Sequence, residues 1–163
     1  MILPIRYNKG TVIQALRYHF ITRKELRIMI ITVNVFALLS IVLYIFGKIF
    51  AMAFIASSLL WFILMISFWF ILPTIIYNKT ALFKHTFQME FTNSGFAMMH
   101  QNGSKYWNWS ELKNHLESPH YFHLYFDERS FFLIPKDAVK DDAELLELRK
   151  LIVSGTSPSG SAV

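Results

Sequence analysis

Three histidines that lie close together in the sequence, His115, His120 and His123, are the side chains best suited by type to metal binding or acid–base chemistry. Metal binding requires them to converge. If His120 and His123 share a strand, their odd separation sends them to opposite faces. No carboxylate stands at a helical ligand spacing from them, and no H-E-x-x-H motif occurs. His85 falls on the apolar side of an alternating run and reads as a core imidazole. The acidic pairs Asp127-Glu128 and Asp141-Asp142 have ordinary roles, the first in a turn and the second at a helix N-terminus. There is no cysteine, which removes disulfides, thiol catalysis and cysteine metal sites. No glycine-rich phosphate loop and no nucleophile elbow is present. The expectation is a non-enzyme with no catalytic residues, no metal site and no cofactor.

The elements that position the rest of the chain are two long apolar runs. Ile28 to Gly47 is 20 residues without a charge, and Ile49 to Asn78 is 30 more. A bilayer core of about 30 Å needs roughly 20 helical residues, and backbone inside lipid must satisfy its own hydrogen bonds. The spacing predicts a transmembrane helical hairpin over residues 28–78, with crossings at 28–47 and 49–72 and a turn at Gly47-Lys48. Thirty residues of helix extend about 45 Å, so the second run overshoots the core. Pro73 is expected to kink or loosen it, with Tyr77 and Lys79 at the surface. Asn34 is expected to bond the partner helix or a nearby carbonyl. Ser57, Ser58 and Ser67 are small enough to face the first helix, Tyr44 suits the interfacial aromatic belt, and Trp61 lies too deep for that belt. The spans hold no Asp, Glu, Lys, Arg or His apart from Lys48 in the turn, which argues against an ion or proton pathway.

The net charge is +5, and its location is more informative than its total. Arg6, Lys9, Arg17, Arg23, Lys24 and Arg27 stand against Glu25 alone in residues 1–27, whereas residues 79–163 hold nine basic and ten acidic side chains. The surplus therefore belongs to the membrane flank, where each basic residue gains about 1 kcal/mol from anionic headgroups. Arg17, Arg23, Lys24, Arg27, Lys79 and Lys84 are the candidate membrane-surface contacts, and membrane lipids are the first expected partner. A basic face on the folded domain, as nucleic acid requires, is lacking. Lysine and arginine placement puts both termini in the cytoplasm. The first 27 residues are too charged, and the apolar run after them too long, for a cleavable leader.

Residues 1–27 read as a short extended start, with Pro4 and Gly10 discouraging regular structure before Thr11. A basic amphipathic helix follows, lying either in the headgroup layer or on the C-terminal domain. Beyond residue 80 the period changes. Phe83, His85, Phe87, Met89 and Phe91 alternate with polar residues, the mark of a half-buried strand. Asn93-Ser94-Gly95 makes a turn, residues 96–101 a second strand, Asn102-Gly103 a hairpin, and residues 104–109 the returning strand. Residues 110–120 form a turn and then a strand ended by Pro119. Tyr121 to Phe126 and Phe131 to Ile134 pair across Asp127-Glu128-Arg129-Ser130. Residues 141–153 read as a helix with Asp141 and Glu144 at capping-box spacing and Gly155 just past its end. Its Leu145, Leu148 and Ile152 stripe covers one sheet face. Residues 154–163 carry too little apolar surface to fold and are expected to be disordered.

Trp109-Ser110-Glu111-Leu112 after the Asn102-Gly103 hairpin, the apolar Tyr121 to Phe126, Phe131-Phe132-Leu133-Ile134-Pro135-Lys136 and the closing leucine-rich helix together resemble the YcxB-like family of small bacterial membrane proteins. The likeness covers about residues 80–153, and the two-helix anchor before it is also similar. Ala138-Val139 departs from the pattern, where an aromatic often follows. The resemblance implies an α+β membrane protein of the bacterial inner membrane: a two-helix hairpin, then a small cytoplasmic antiparallel sheet domain with a C-terminal helix, similar to pleckstrin-homology-like or GRAM-like modules. It carries over no enzyme activity and no functional residues.

Physical reasoning assigns fold-determining roles to the same motifs. Trp109 is large enough to plug an open sheet end, Pro135 suits a strand end, and Lys136 marks the exit to solvent. Trp107, Trp109, Pro135 and Lys136 are the candidate interaction or fold-determining residues. The many aromatics of a small domain cannot all be buried, so an exposed apolar patch is expected to meet the membrane, the N-terminal helix or another protein. The expected function is a membrane-anchored interaction or regulatory module with a protein partner or a second copy. The alternatives are a lipid-responsive surface sensor, a transport-associated subunit or a lipid-modifying enzyme.

Overall fold

The computed structural model describes residues 1–100, 103–127 and 130–156. The fold is α+β, with two long apolar helices, two antiparallel sheets and a C-terminal helix. The chain divides into a sheet unit, Met1–Thr11 with the chain from Ala81 onward, and a helical unit, Val12–Thr80.

The sheet unit begins earlier than the local pattern suggests. Ile2–Ile5 is a strand, β1, antiparallel to β2 (Phe87–Phe91), with Leu3 opposite Met89 and Ile5 opposite Phe87. Leu3 and Ile5 are buried while Ile2 points out. Pro4 is tolerated because β1 is an edge strand and needs no second row of donors. The expectation that residues 1–10 lack regular structure is corrected here. The next strands are β3 (Gly95–His100) and β4 (Gly103–Asn108), giving the sheet order β1-β2-β3-β4. A second sheet runs β5-β6-β7, from Asn114–Glu117, Tyr121–Tyr125 and Phe131–Pro135. The expected turns at residues 101–102 and 128–129 lie outside the described residues, as do residues 157–163 of the tail.

One core joins both sheets, with Phe91 and Phe96 of the first, Phe122, Leu124 and Ile134 of the second, and Leu148 and Ile152 of the closing helix. That helix spans Asp142–Gly155 and is capped by the Asp141 carboxylate, which accepts from Glu144 N at 2.8 Å. Leu145 packs against the same core. The alternating run is shorter than expected. Phe83 sits in a 3-10 turn at Ala81–Lys84, and His85 is exposed ahead of β2, not in a strand or a core.

In the helical unit, α1 (Lys9–Thr22) buries Val12, Ala15, Leu16, His19 and Phe20. α2 (Lys24–Ile45) and α3 (Ala51–Ile66) are antiparallel neighbours, with neither burying a residue. Gly47 adopts φ 64° in the turn between them, a conformation that costs glycine little. Five residues of π-helix, Ser67–Ile71, follow α3 and lead into α4 (Leu72–Lys79). Lys24–Ile45 and Ala51–Lys79 are each long and apolar enough to cross a membrane.

The contacts between the long helices are polar where the sequence allows. Asn34 donates to its own Ile30 carbonyl at 2.8 Å and accepts from Trp61 Nε1 at 3.3 Å. Ser40 and Ser57 hydroxyls meet at 2.6 Å, and Tyr44 stacks on Phe54 at 4.6 Å near the turn. Ser67 instead bonds back to Ile63 O.

Candidate functional site

The loosened turn at Pro73 makes the first unusual site. Proline has no N–H and its ring crowds the carbonyl four residues earlier. The helix answers by widening, so Leu72 N bonds Ser67 O, five residues back, the mark of a π turn. Trp69, four residues before Pro73, thereby lacks the usual α-helical donor. Arg17 Nε takes the place, 2.8 Å from Trp69 O. The Arg17 guanidinium carbon also lies 5.6 Å from the Trp69 ring centre and 5.1 Å from that of Phe70, within cation–π range.

Of the other candidate surface cations, Lys24, Arg27 and Lys79 are exposed in the helical unit, and Arg23 is half-buried at the junction of α1 and α2. Lys84 is exposed in the sheet unit. His19, on α1, is buried, and that burial, with Arg23 nearby, pushes its pKa down to about 4.

A second site gathers at Trp109. Asn108 caps the 3-10 turn Trp109–Glu111: its side chain accepts from Ser110 N at 3.0 Å, and Glu111 Oε1 accepts from Asn108 N at 2.8 Å. The turn swings Trp109 into the core, where Nε1 donates to Thr92 O at 2.9 Å and the ring packs on Phe91 and Phe96. Gly155 forms the floor. A Cβ there would stand 2.2 Å from Trp109 Cγ. The close approach leaves no room for a Cβ, and Gly155 is the last residue of the helix and not a residue just past its end. Beside it, His115 Nδ1 lies 2.7 Å from Thr156 Oγ1, which itself donates to Ile152 O. Burial holds the His115 pKa below its ordinary value.

The third is a charge cluster that sequence reasoning missed. Glu117 on edge strand β5 receives Lys136 Nζ at 2.6 Å and both Nε and Nη2 of Arg149, at 2.9 and 2.8 Å. Both cations lie over the Phe122 ring, at 5.2 and 5.9 Å. The Arg149 hydrogen bonds, with those of Lys136, hold the Glu117 carboxyl down to about 2. Lys136, expected to mark an exit to solvent, is half-buried in this clip, and Pro135 is buried at the end of β7 as expected of a strand end.

The aromatics are mainly core. Trp107 is 9% exposed and Trp109 2%, and Tyr106 is the exposed large one, at 51%. An exposed aromatic patch is therefore not what the domain presents among the described residues. The reason is that β1 and Tyr7 enlarge the unit: Tyr7 donates its hydroxyl to Leu133 O at 2.8 Å and meets Phe83 edge-on at 5.1 Å. Burial and the neighbouring Tyr121 raise the Tyr7 pKa.

The histidines do not converge. His120 is exposed before β6, His123 is buried with Nε2 3.0 Å from Ser118 Oγ, and His115 serves Thr156. Among the described residues, no three His, Asp or Glu side chains are grouped to hold a metal ion. An apolar groove of about 490 Å³ lies between α2 and α3, lined by Phe36, Ala37, Ser40, Ala53, Ser57 and Trp61 among others. It holds no titratable pair that could act on a substrate.

Residues 91–152 match the family model described as YcxB-like protein. The matched stretch runs from the last residue of β2 into the closing helix, and it is similar to that family over those residues. No curated protein matches the chain, and no solved structure does.

Proposed function

We propose that the protein is a non-catalytic, membrane-anchored interaction or regulatory module. Its hairpin crosses the bacterial inner membrane, and its sheet unit lies in the cytoplasm as a PH-like domain that binds a protein partner or a second copy. The observation that carries this reading is the β1–β2 pairing. The two strands flanking the hairpin are neighbours in one sheet, so a chain leaving for the bilayer from β1 returns to the same folded unit through β2. A hairpin of two crossings meets that requirement.

Three further features support the reading. The faces of α2 and α3 are apolar and open, an arrangement suited to lipid and costly in water. The spans lack ionisable groups, which favours an anchor over a pathway. Four antiparallel strands, then three, then a closing helix agree with the PH-like architecture that the family likeness implies.

The test is in-membrane crosslinking of the full chain. The proposal expects a discrete product, either a self-crosslink or one defined partner, at contacts on the sheet unit. Recovery of monomer alone across several crosslinker lengths contradicts it. A second reading, a sensor of anionic lipid, draws on the basic residues between Arg17 and Arg27. Flotation of the full chain with vesicles containing or lacking anionic lipid distinguishes it, and equal binding to both removes the electrostatic part.

A further inference from the structure

The Arg17–Trp69 contact leaves half of a guanidinium unused. A guanidinium is a rigid fork with five N–H donors, and it binds carboxylate or phosphate in pairs along one edge. The bond to Trp69 O uses Nε. The edge made by the two terminal nitrogens is still available, and the ring contacts with Trp69 and Phe70 fix the plane from which it projects.

Depth says what that edge meets. From Ala51 at the start of α3 to Trp69, a rise of about 1.5 Å per residue gives about 27 Å, close to the roughly 30 Å hydrocarbon thickness of a bilayer. With the Ala51 end at one face, the Trp69 carbonyl and Arg17 sit at the other, in the headgroup layer. Trp69 is 42% exposed and Phe70 56%, as interfacial aromatics are. Arg23, Lys24 and Arg27 follow against Glu25 alone, so the neighbourhood is electropositive.

We propose that Arg17, held in place by the carbonyl that Pro73 leaves without a donor, binds the phosphodiester of an anionic phospholipid through its terminal guanidinium edge. The helix break is then what builds the lipid site. This inference rests on the membrane-spanning reading above.

The experiment uses the full chain in detergent micelles, with bound lipid counted by native mass spectrometry. The probes are phosphatidylglycerol, a phosphate-free glycolipid of the same chain length, and inorganic phosphate as a competitor. The wild type is expected to retain phosphatidylglycerol in preference to the glycolipid. R17Q should weaken retention by about tenfold, the loss of a charge-assisted pair. R17K keeps the charge without the fork and should fall between.

The P73A variant separates a built site from plain charge. It gives Trp69 O a donor of its own, releases Arg17 and should weaken retention several-fold although every cation remains. Retention in P73A and R17Q equal to wild type, with circular dichroism unchanged, overturns the proposal. So does displacement of the lipid by millimolar-range free phosphate, which identifies a soluble-anion site. If the wild type leaves the membrane fraction without detergent, the membrane reading falls and takes this proposal with it. If the chain is membrane-integral and R17Q binds normally, the lipid site alone fails.

Discussion

Leu3 lies opposite Met89 in an antiparallel strand pair, although the whole apolar hairpin separates them in the chain. Both side chains are buried in the core that the two sheets share. The hairpin is thus an insertion into the sheet unit, and the first residues of the chain belong to that unit's stability.

Leu3→Asp places a charge among Phe87, Met89 and Phe91, where it has no partner. Burying an unpaired charge is among the largest single-residue effects, so the substitution should cost more than about 3 kcal/mol and unfold the sheet unit. Leu3→Ala should cost about 2–5 kcal/mol. Chemical denaturation of the full chain in micelles, followed by near-UV circular dichroism of the tryptophans, measures both. An Ile2→Asp control, at an exposed position, should be close to neutral.

Much of the domain was legible from local pattern, and the illegible parts share a cause. Alternation around Phe87, Met89 and Phe91 announces β2, and the Asp141–Glu144 spacing announces the cap on the last helix, because both are written within a few residues. Ile2–Ile5 is too short, and too interrupted by Pro4, to announce a strand, since its partner lies beyond the hairpin. Phe83 and His85 continue the alternation in sequence, but the 3-10 turn at Ala81–Lys84 ends the strand first. Pro73 foretells that Trp69 O lacks a donor, whereas nothing local says that Arg17 will supply one. Glu117 with Arg149 likewise depends on how the closing helix meets β5.

Gly155→Ala should destabilise the sheet unit by about 1–3 kcal/mol, the usual cost of overpacking, because the new Cβ would collide with the Trp109 ring. Trp109→Ala should cost about 3–5 kcal/mol. In Trp109→Ala the added cost of Gly155→Ala should shrink sharply, since the ring it strikes is gone. A thermal-melt double-mutant cycle checks the coupling.

Acid should loosen the Glu117 clip. The Glu117 carboxyl is held at about 2 against an ordinary 4.5. The stability it contributes is therefore present above about pH 4.5 and lost as pH falls towards 2. Glu117→Gln should flatten the stability profile in that window: the variant should be less stable than the wild type above about pH 4.5, by a modest amount because the pair is partly exposed, and the two should converge as pH falls towards 2. Denaturation midpoints between pH 2 and 7 for the two proteins decide it.

Within the hairpin, Asn34→Leu removes the acceptor of Trp61 Nε1. Polar contacts between membrane helices contribute about 0.6 kcal/mol on average and up to about 1.7. A shift of that size is expected for Asn34→Leu and for Trp61→Phe, with the double variant no worse than either alone. Steric trapping or unfolding in mixed micelles gives the numbers.

The proposal that the hairpin inserted between adjacent strands crosses a membrane is tested most directly by where its turn and its sheet unit face. The chain has no cysteine, so single substitutions report cleanly. Lys48→Cys in the turn and Ser104→Cys on β4 are treated, in intact cells and after lysis, with a maleimide that does not cross membranes. The account predicts that Lys48→Cys labels in intact cells and Ser104→Cys only after lysis. Labelling of both positions from the same side would contradict it.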